Sequence, residues 1–427
     1  MKIFFPGDQR KKVVIIGGGF GGVELAKKLD PEKFRVILID RHNYHTFQPL
    51  LYQVATGGLE PDSVAYPIRK IFHRRKNIYF RLADAVEILS DKNCVLTSIG
   101  EIDYDYLVIA TGSTTNFYGN INLEHECLTL KSITDALNIR SWFLQNFEQA
   151  LLVAGEDDRR NLMNIVIVGG GPTGVEIAGA VAELKRHVLP NDYPELDLSM
   201  MTITIVEASG KLLATMSEEA SSKAKIFLEA MGVHLRFNQR VKDFDGKKIT
   251  LDNGEELFSK SVIWTAGVMG KLVEGINREA IVSGNRLQVN EYNCVIGYET
   301  IFAIGDLAAM ATGDHKPHPM VAPVAIQQGK NLAANLNKKL KDEWKPFRYK
   351  DNGAMATIGR NKAVADLKYW KSQGFFAWLT WLFVHLITLV GYRNKFLVLF
   401  NWIWSYFSYD NAIRLIIRPY KKKDVSE

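Results

Sequence analysis

Two strand-then-glycine-loop signatures, set about 150 residues apart, restrict this chain to very few folds. Val13-Val14-Ile15-Ile16 runs into Gly17-Gly18-Gly19-Phe20-Gly21-Gly22, and Ile165-Val166-Ile167-Val168 runs into Gly169-Gly170-Gly171-Pro172-Thr173-Gly174. A tight turn off a buried parallel strand needs glycine, and the helix that follows offers unpaired N–H groups to a pyrophosphate. Gly17, Gly19 and Gly22 keep the GxGxxG spacing, as do Gly169, Gly171 and Gly174. A glycine loop alone can simply turn. Here each unit also ends its second strand in an acid suited to ribose hydroxyls, Asp40 after Val36-Ile37-Leu38-Ile39 and Glu207 after Ile203-Thr204-Ile205-Val206. The pattern occurs twice, so two dinucleotides are expected.

Glu207 lies 38 residues after Gly169, against the usual ~20. A lengthened helix and the excursion Leu189-Pro190-Asn191-Asp192-Tyr193-Pro194 account for the difference. Ala208-Ser209-Gly210 follows with no Arg or Lys before Lys211, so a 2'-phosphate would meet a carboxylate without a guanidinium, which favours NADH over NADPH.

Three later segments, Tyr106 to Gly112, Val262 to Gly267 and Ile301 to Asp306, are apolar strands ending in small residues that let a backbone approach a flat cofactor. In this order, after two glycine loops, they resemble the two-dinucleotide flavoproteins. That likeness assigns FAD to the first loop, with Ala110, Thr111, Gly112, Gly305 and Asp306 at the flavin, and guidance of the nicotinamide to Ala266 and Gly267. Read structurally, Ala110 to Gly112 are strand termini and Asp306 is an N-cap.

The whole chain resembles the type II NADH dehydrogenases, single-subunit flavin NADH:quinone oxidoreductases. The most specific stretch is Asn43-Tyr44-His45-Thr46-Phe47-Gln48-Pro49-Leu50-Leu51-Tyr52-Gln53-Val54-Ala55-Thr56-Gly57. In that family it passes beside the isoalloxazine, which makes Gln48 and Tyr52 candidates for the quinone cavity and Gln53 for the flavin; the plain alternative is an apolar loop packed under the first domain. The resemblance also adds Val86 and Ala325 to the FAD contacts. The family's AQxAxQ motif reads Ala322-Pro323-Val324-Ala325-Ile326-Gln327 here. Pro323 has neither a side-chain donor nor a backbone N–H, so it cannot hydrogen-bond a quinone carbonyl. Gln327 or Gln328 could substitute, or the motif only packs the flavin. Glu176, two residues after Gly174, matches an acid that the family places near flavin and quinone as a proton donor. Its structural reading is a first-turn glutamate favoured by the helix dipole.

With 427 residues, 47% apolar and 23% charged, the chain is long enough for two or three globular domains. Cys94, Cys127 and Cys294 form no CxxC, which argues against a disulfide reductase, a zinc site or an iron-sulfur cluster. His315 and His318 read as a Pro-flanked loop rather than a metal site. The N-terminus lacks the apolar core of a secretory signal, which keeps the glycine loops in the cytosol with NADH.

After Lys371 the chain changes character. Phe375 to Val390 carries no formal charge, yet as a helix it would span only roughly 24 Å against a roughly 30 Å hydrocarbon core, so lying in the interface is expected rather than crossing. From Phe396 to Arg418, polar residues at Asn401, Ser405, Ser408, Asn411, Arg414 and Arg418 draw one stripe down a helix whose other face is aromatic and apolar. From Arg393 onward seven Lys and Arg stand against three Asp and Glu, so +4 of the chain's +6 sits in its last 35 residues. Anionic headgroups are the natural partner, and a buried hairpin or dimer interface is the alternative. Nucleic acid fits poorly, since no recognition motif accompanies these bases.

The expected architecture is α/β, with two Rossmann-like dinucleotide-binding domains and a C-terminal amphipathic helical region that anchors to membrane. Residues 1–120 and 296–345 would form a discontinuous FAD domain, 121–295 an inserted NADH domain, and 346–427 the membrane-association region. The expected function is non-proton-pumping NADH:quinone oxidoreduction through FAD by a monotopic protein on the cytoplasmic face of the cell membrane. The resemblance adds a homodimer. A flavin NADH reductase with a soluble acceptor, or an NADH-sensing module without turnover, are the alternatives.

Overall fold

A strand that is apolar on both sides needs cover on both faces, and each glycine loop springs from such a strand at the centre of a parallel sheet. The computed structural model describes residues 3, 5, 9–311, 317–408, 414–416 and 418–422; His315 and Asn411 lie outside them. The principal strands, in chain order, begin with β1 (Lys11–Ile16), β2 (Phe34–Asp40), β3 (Ile78–Leu82), β4 (Tyr106–Ile109), β5 (Leu128–Thr129) and β6 (Ile165–Val168). They continue with β7 (Ile203–Glu207), β8 (Val233–Phe237), β9 (Ser261–Trp264), β10 (Ile301–Ala303), β11 (Gly353–Gly359), β12 (Lys362–Leu367) and β13 (Trp370–Gln373). The helices that position the site are α1 (Phe20–Lys28), α2 (Leu51–Ala55), α3 (Ile133–Leu152), α4 (Pro172–His187), α5 (Ala322–Leu336), α6 (Phe375–Thr388) and α7 (Tyr392–Ser408).

The chain divides into two compact units. The first comprises Met1–His45, Tyr66–Thr114 and Val268–Asp351. Its five-stranded sheet has the order β10-β4-β1-β2-β3, parallel throughout. Val13 and Ile15 pack on one side with Leu25 and Leu332, while Val14 and Ile16 pack on the other with Ile88, Val95 and Leu287.

The second unit comprises Thr46–Ala65, Thr115–Gly267 and Asn352–Glu427. It repeats the same parallel order around its own glycine strand, β5-β9-β6-β7-β8. A separate antiparallel sheet, β11-β12-β13, packs against α4. Gly179 makes that packing possible: a Cβ there would stand 1.7 Å from the Ile358 carbonyl oxygen.

The C-terminal helices are inside out. On α6 the exposed residues Phe376, Leu379, Phe383 and Ile387 follow helical spacing, and on α7 Phe396, Phe400, Ile403 and Phe407 do the same. The inward side of α6 buries Ala377 and Trp381. On α7, Asn394 donates through one amide nitrogen to the carbonyls of Asp62, Ser63 and Ala65. No helix among the described residues is long and apolar enough to cross a membrane. The expected helical stripe does not run to Arg418: α7 is described as far as Ser408, and Arg414 and Arg418 are not helical. Pro419 disfavours helical backbone at Arg418, and the Arg414 guanidinium is held by Asp192 Oδ1 at 2.9 Å.

Gly179→Ala should destabilise the protein by roughly 1–3 kcal/mol, the usual cost of forcing a methyl into a packed contact. Urea unfolding measures it, and an unchanged midpoint would show that the sheet can withdraw from α4 freely.

Candidate functional site

The two glycine loops have the same geometry. Gly17 and Gly169 adopt φ of +114° and +107°, in the region that favours glycine. A Cβ on Gly22 or Gly174 would lie 1.9 Å from the carbonyl oxygen of Gly17 or Gly169, so each helix starts pressed against its own turn. Gly19 and Gly171, in contrast, look into open space where a pyrophosphate can approach the backbone. The acids match as well: Asp40 accepts the Gly18 N–H at 2.6 Å and the His42 N–H at 2.7 Å. Glu207 accepts the Gly170 N–H at 2.6 Å and the Ser209 N–H at 2.7 Å.

In the first unit the loops after β1, β4 and β10 meet at the carboxyl edge of the sheet, where open α/β sheets bind ligands. This gathers Gly17, Gly19, Phe20, Gly22, Ala110, Thr111, Gly112, Gly305 and Asp306 at one edge, with Ala110 N–H on Ile16 O and Ile304 N–H on Ile109 O. Asp306 is not an N-cap; it lies within a short 3-10 turn and accepts the Ser113 hydroxyl at 2.5 Å. His45 is buried, and its Nδ1 donates to Gly18 O at 2.9 Å while its ring meets Phe20 edge-on. Desolvation lowers its pKa and keeps it neutral. Ala325 packs on Gly305 and Gly21. Val86 is exposed on the strand Ala85–Leu89.

Pro323 occupies the second position of α5, where a missing N–H costs no helix bond. Gln327 is held at both ends of its amide by the Lys350 main chain, at 2.9 Å each. The next residue, Gln328, is fully buried and accepts the Gly305 N–H at 2.7 Å, while its Nε2 has no hydrogen-bond partner among the described residues.

In the second unit Gly169, Gly171, Pro172, Thr173 and Gly174 turn from β6 into α4, and Ala266 and Gly267 follow β9 alongside them. Gly267 has φ +97°, and Tyr118, itself at φ +54° and exposed, lies over it. Lys211 pairs with Glu218.

The same unit holds a buried acid cluster. Glu176 is the fifth residue of α4, beyond the first turn, so the helix dipole does not explain it. Burial does: desolvation pushes its carboxyl up to about 8, opposed by a long 3.5 Å approach of the Thr357 N–H and by Trp381. The Trp381 indole N–H lies outside hydrogen-bond geometry and has no partner among the described residues, so its effect on the carboxyl is the weaker. Glu183, two turns along α4, accepts the Arg360 N–H at 2.5 Å, and desolvation raises its pKa too.

Tyr52 stands near both acids, its pKa raised well above normal by desolvation and then by the negative charge of Glu176. Its hydroxyl oxygen accepts from Gln53 Nε2 at 2.8 Å, and Gln53 Oε1 in turn accepts from Trp402 Nε1 at 2.8 Å. The Tyr52 proton is thereby left to donate elsewhere. Trp381 stacks on His385 with ring centroids 3.9 Å apart, and His385 is held neutral by burial, its pKa lowered to about 4.

Tyr52, Gln53 and Glu176 therefore share one unit, where Gln48 sits exposed with its amide directed to Lys131 O at 3.5 Å. Sequence reasoning missed Tyr118, Trp381, Trp402 and Thr357, and named Gln328 only as a substitute quinone contact. Only the charge-free run around Trp381 carried a signal, and it pointed to membrane rather than to the acid. The three cysteines form no disulfide, and no group of His, Cys, Asp and Glu among the described residues is arranged to hold a metal.

Residues 11–329 match the pyridine nucleotide-disulphide oxidoreductase family, and residues 352–408 match the NDH2 C-terminal domain. The type II NADH:quinone oxidoreductase Ndh of Mycobacterium tuberculosis is 34% identical over 416 residues, covering 94% of this chain and 89% of the relative. That of Haemophilus influenzae is 31% identical, covering 86% of this chain and 90% of the relative. Among solved structures, NDH2 of Plasmodium falciparum in complex with NADH superposes with a TM-score of 0.87 at 22% identity, covering 94% and 99% of the two chains.

An unfolded glutamate releases its proton near 4.5, whereas folded Glu176 holds it to about 8. Between those values the folded state binds more protons, so stability falls as pH rises through that window. Glu176→Gln removes the titration and should gain on wild type from about pH 5 upward, reaching roughly 2–4 kcal/mol near pH 8. Urea unfolding at pH 5 and pH 8 reads the difference; an equal gap at both would mean a carboxyl charged throughout.

Proposed function

The chain belongs to the type II NADH:quinone oxidoreductases, respiratory enzymes that do not pump protons, and from that premise we propose that Glu176 supplies a proton for quinone reduction. The observation that carries this reading is a carboxyl buried among Tyr52, Trp381 and Thr357 and protonated at neutral pH. Bound FAD supplies the two-electron exchange between NADH and quinone. The first-unit edge fits it: Gly19 leaves room for a pyrophosphate, Asp40 at the end of β2 is the acid that would meet ribose hydroxyls, and the buried Gln328 Nε2 retains an unused donor.

Reduction to quinol also consumes two protons, which an apolar cavity must deliver from a side chain or a water chain. Glu176 holds one at its carboxyl oxygen before any electron arrives. Tyr52, its hydroxyl oxygen occupied by Gln53, holds a second O–H donor near the same carboxyl. Once Glu176 has given its proton, the Thr357 N–H is the main-chain dipole nearest the new charge. A quinone contact by Gln327 would require exchanging its two bonds to Lys350.

For the nicotinamide dinucleotide, the Glu207 carboxylate favours NADH: it meets a 2'-hydroxyl well and a 2'-phosphate badly, with Lys211 engaged by Glu218. The exposed stripes of α6 and α7, together with the basic C-terminal end, seat the enzyme on an anionic lipid surface at the cytoplasmic face, where NADH is available and quinone enters from lipid. A homodimer would present two such surfaces to one membrane. A soluble acceptor leaves these stripes without a purpose.

Stopped-flow with the FAD-loaded protein tests the proton role. Glu176→Gln should leave flavin reduction by NADH unchanged and slow reoxidation by a short-chain menaquinone or ubiquinone analogue by roughly 10–100-fold. Because only the protonated carboxyl donates, wild-type reoxidation should fall as pH rises through about 8, while the variant's profile stays flat. Equal reoxidation rates in the two proteins would dismiss Glu176.

The membrane assignment has its own test. Replacing Phe396, Phe400 and Phe407 together by Glu should cut co-flotation with phosphatidylglycerol vesicles by roughly tenfold or more while NADH oxidation with a water-soluble acceptor persists. Undiminished flotation would move the contact elsewhere.

A further inference from the structure

The hydroxyl of Tyr52 is able to serve as donor or as acceptor, and a residue from outside the acid cluster decides which. Trp402 on α7 sets its indole N–H against one end of the Gln53 amide, with 2.8 Å from Nε1 to Oε1, and the other end of that amide lies 2.8 Å from the Tyr52 hydroxyl. The two ends of an amide are nearly equal in shape, so packing does not determine which faces which neighbour. Trp402 does. An indole N–H donates and never accepts, so the end that meets it is the oxygen, and the nitrogen is left to face Tyr52. That nitrogen donates too, so the Tyr52 oxygen accepts and the Tyr52 proton is kept off the amide.

Reversing the amide would set its nitrogen against the Trp402 N–H, two donors with no acceptor between them, and would draw the Tyr52 proton onto the Gln53 oxygen. Tyr52 is only 6% exposed, so water does not compensate for a mismatch there. The surroundings also keep the tyrosine from moving away. Its carbonyl takes both the N–H and the hydroxyl of Thr56, at 3.1 and 2.9 Å. Its ring centroid lies 6.3 Å from that of Trp381, which in turn lies 6.0 Å from that of Trp402, so the three rings pack as one group. Gln53 is the only hydrogen-bond partner of the Tyr52 hydroxyl among the described residues.

We infer that Trp402 is a positioning residue for quinone reduction: acting through Gln53, it holds the Tyr52 O–H as a donor to the quinone oxygen rather than to the protein. Electrons arriving on quinone build negative charge on its oxygens, and a donor already free of other partners stabilises that charge without first reorganising. Trp402 stands 349 residues from Gln53, on a helix whose sequence reads as a membrane anchor, so α7 serves the reaction as well as the lipid contact. The inference rests on quinone being reduced beside this cluster; it does not require Glu176 to be the proton source.

Stopped-flow on the FAD-loaded full-length protein, with a short-chain menaquinone or ubiquinone analogue, compares wild type, Trp402→Phe, Tyr52→Phe and the double variant. Trp402→Phe keeps a ring at a half-buried position and removes the N–H. It should leave flavin reduction by NADH unchanged and lower the reoxidation rate at saturating quinone by roughly 3–10-fold, the weight of one neutral hydrogen bond. Tyr52→Phe should lower it at least as much. Once Tyr52→Phe is present, Trp402→Phe should change the rate by less than about twofold, because Gln53 then has no hydroxyl to orient. The same silence is expected in a Gln53→Leu background, where the link itself is gone. Equal slowing by Trp402→Phe in all three backgrounds, slowed flavin reduction, or reoxidation at the wild-type rate would each overturn the assignment. Glu176→Gln separates the two readings: if it slows reoxidation while Trp402→Phe does not, the acid stands and this role falls, and if Trp402→Phe alone slows it, the converse holds.

Discussion

The close approach of α4 to β11 at Gly179 is the contact on which the candidate chemistry depends. With no Cβ at that point, the Ile358 carbonyl comes within a distance no other residue would permit. The same helix is fixed at its start by Gly174 lying on the Gly169 carbonyl. Between these two glycines sits Glu176, two residues from Gly174 and three from Gly179, with no freedom to tilt away. A dinucleotide loop, an acid and an antiparallel sheet are joined by a single helix because two of its residues have no side chain.

That enclosure sets the acid's properties. A carboxyl removed from water favours its neutral form, and a neutral carboxyl can give a proton where an ionised one cannot. The same burial makes Glu176 a liability for the fold at high pH, because the unfolded chain would release the proton that the folded chain retains. An isosteric amide would improve stability and abolish donation. Retaining an acid at a position where an amide is better for folding is the pattern expected of a residue kept for its chemistry.

Much of this was legible in the sequence, and the divide falls between local and non-local information. The glycine loops, their acids Asp40 and Glu207 and the proximity of Glu176 to Gly174 are patterns within one supersecondary unit, and their geometry follows from the backbone alone. What surrounds Glu176 was not legible: Thr357 is 181 residues away and Trp381 comes from a run that reads as membrane sequence. The helix-dipole explanation failed for a related reason, since the turn from β6 places Pro172 first in α4 and pushes Glu176 into its second turn. Gln327 and Gln328 are adjacent and chemically identical, and only the packed helix shows that one is tied to Lys350 while the other is buried on Gly305. The extent of α7 was overread because polar spacing continued past Ser408, and periodicity does not register that an ion pair to Asp192 will capture Arg414.

The inside-out tail follows from the same sheet. At the turn between β11 and β12, Arg360 gives its N–H to Glu183, while its Nη1 and Nη2 donate to the carbonyls of Tyr406 and Ser405 at 3.1 and 2.6 Å. Those carbonyls belong to the last described turn of α7, and a cation at a helix C-terminal end complements the helix dipole. One arginine thus fastens the C-terminus of an exposed apolar helix to the turn that grips α4. With the polar side of α7 held inward by Arg360 and by the Asn394 amide, its phenylalanines have nowhere to go but outward. The outward apolar face is therefore a consequence of how the second unit closes around its acids.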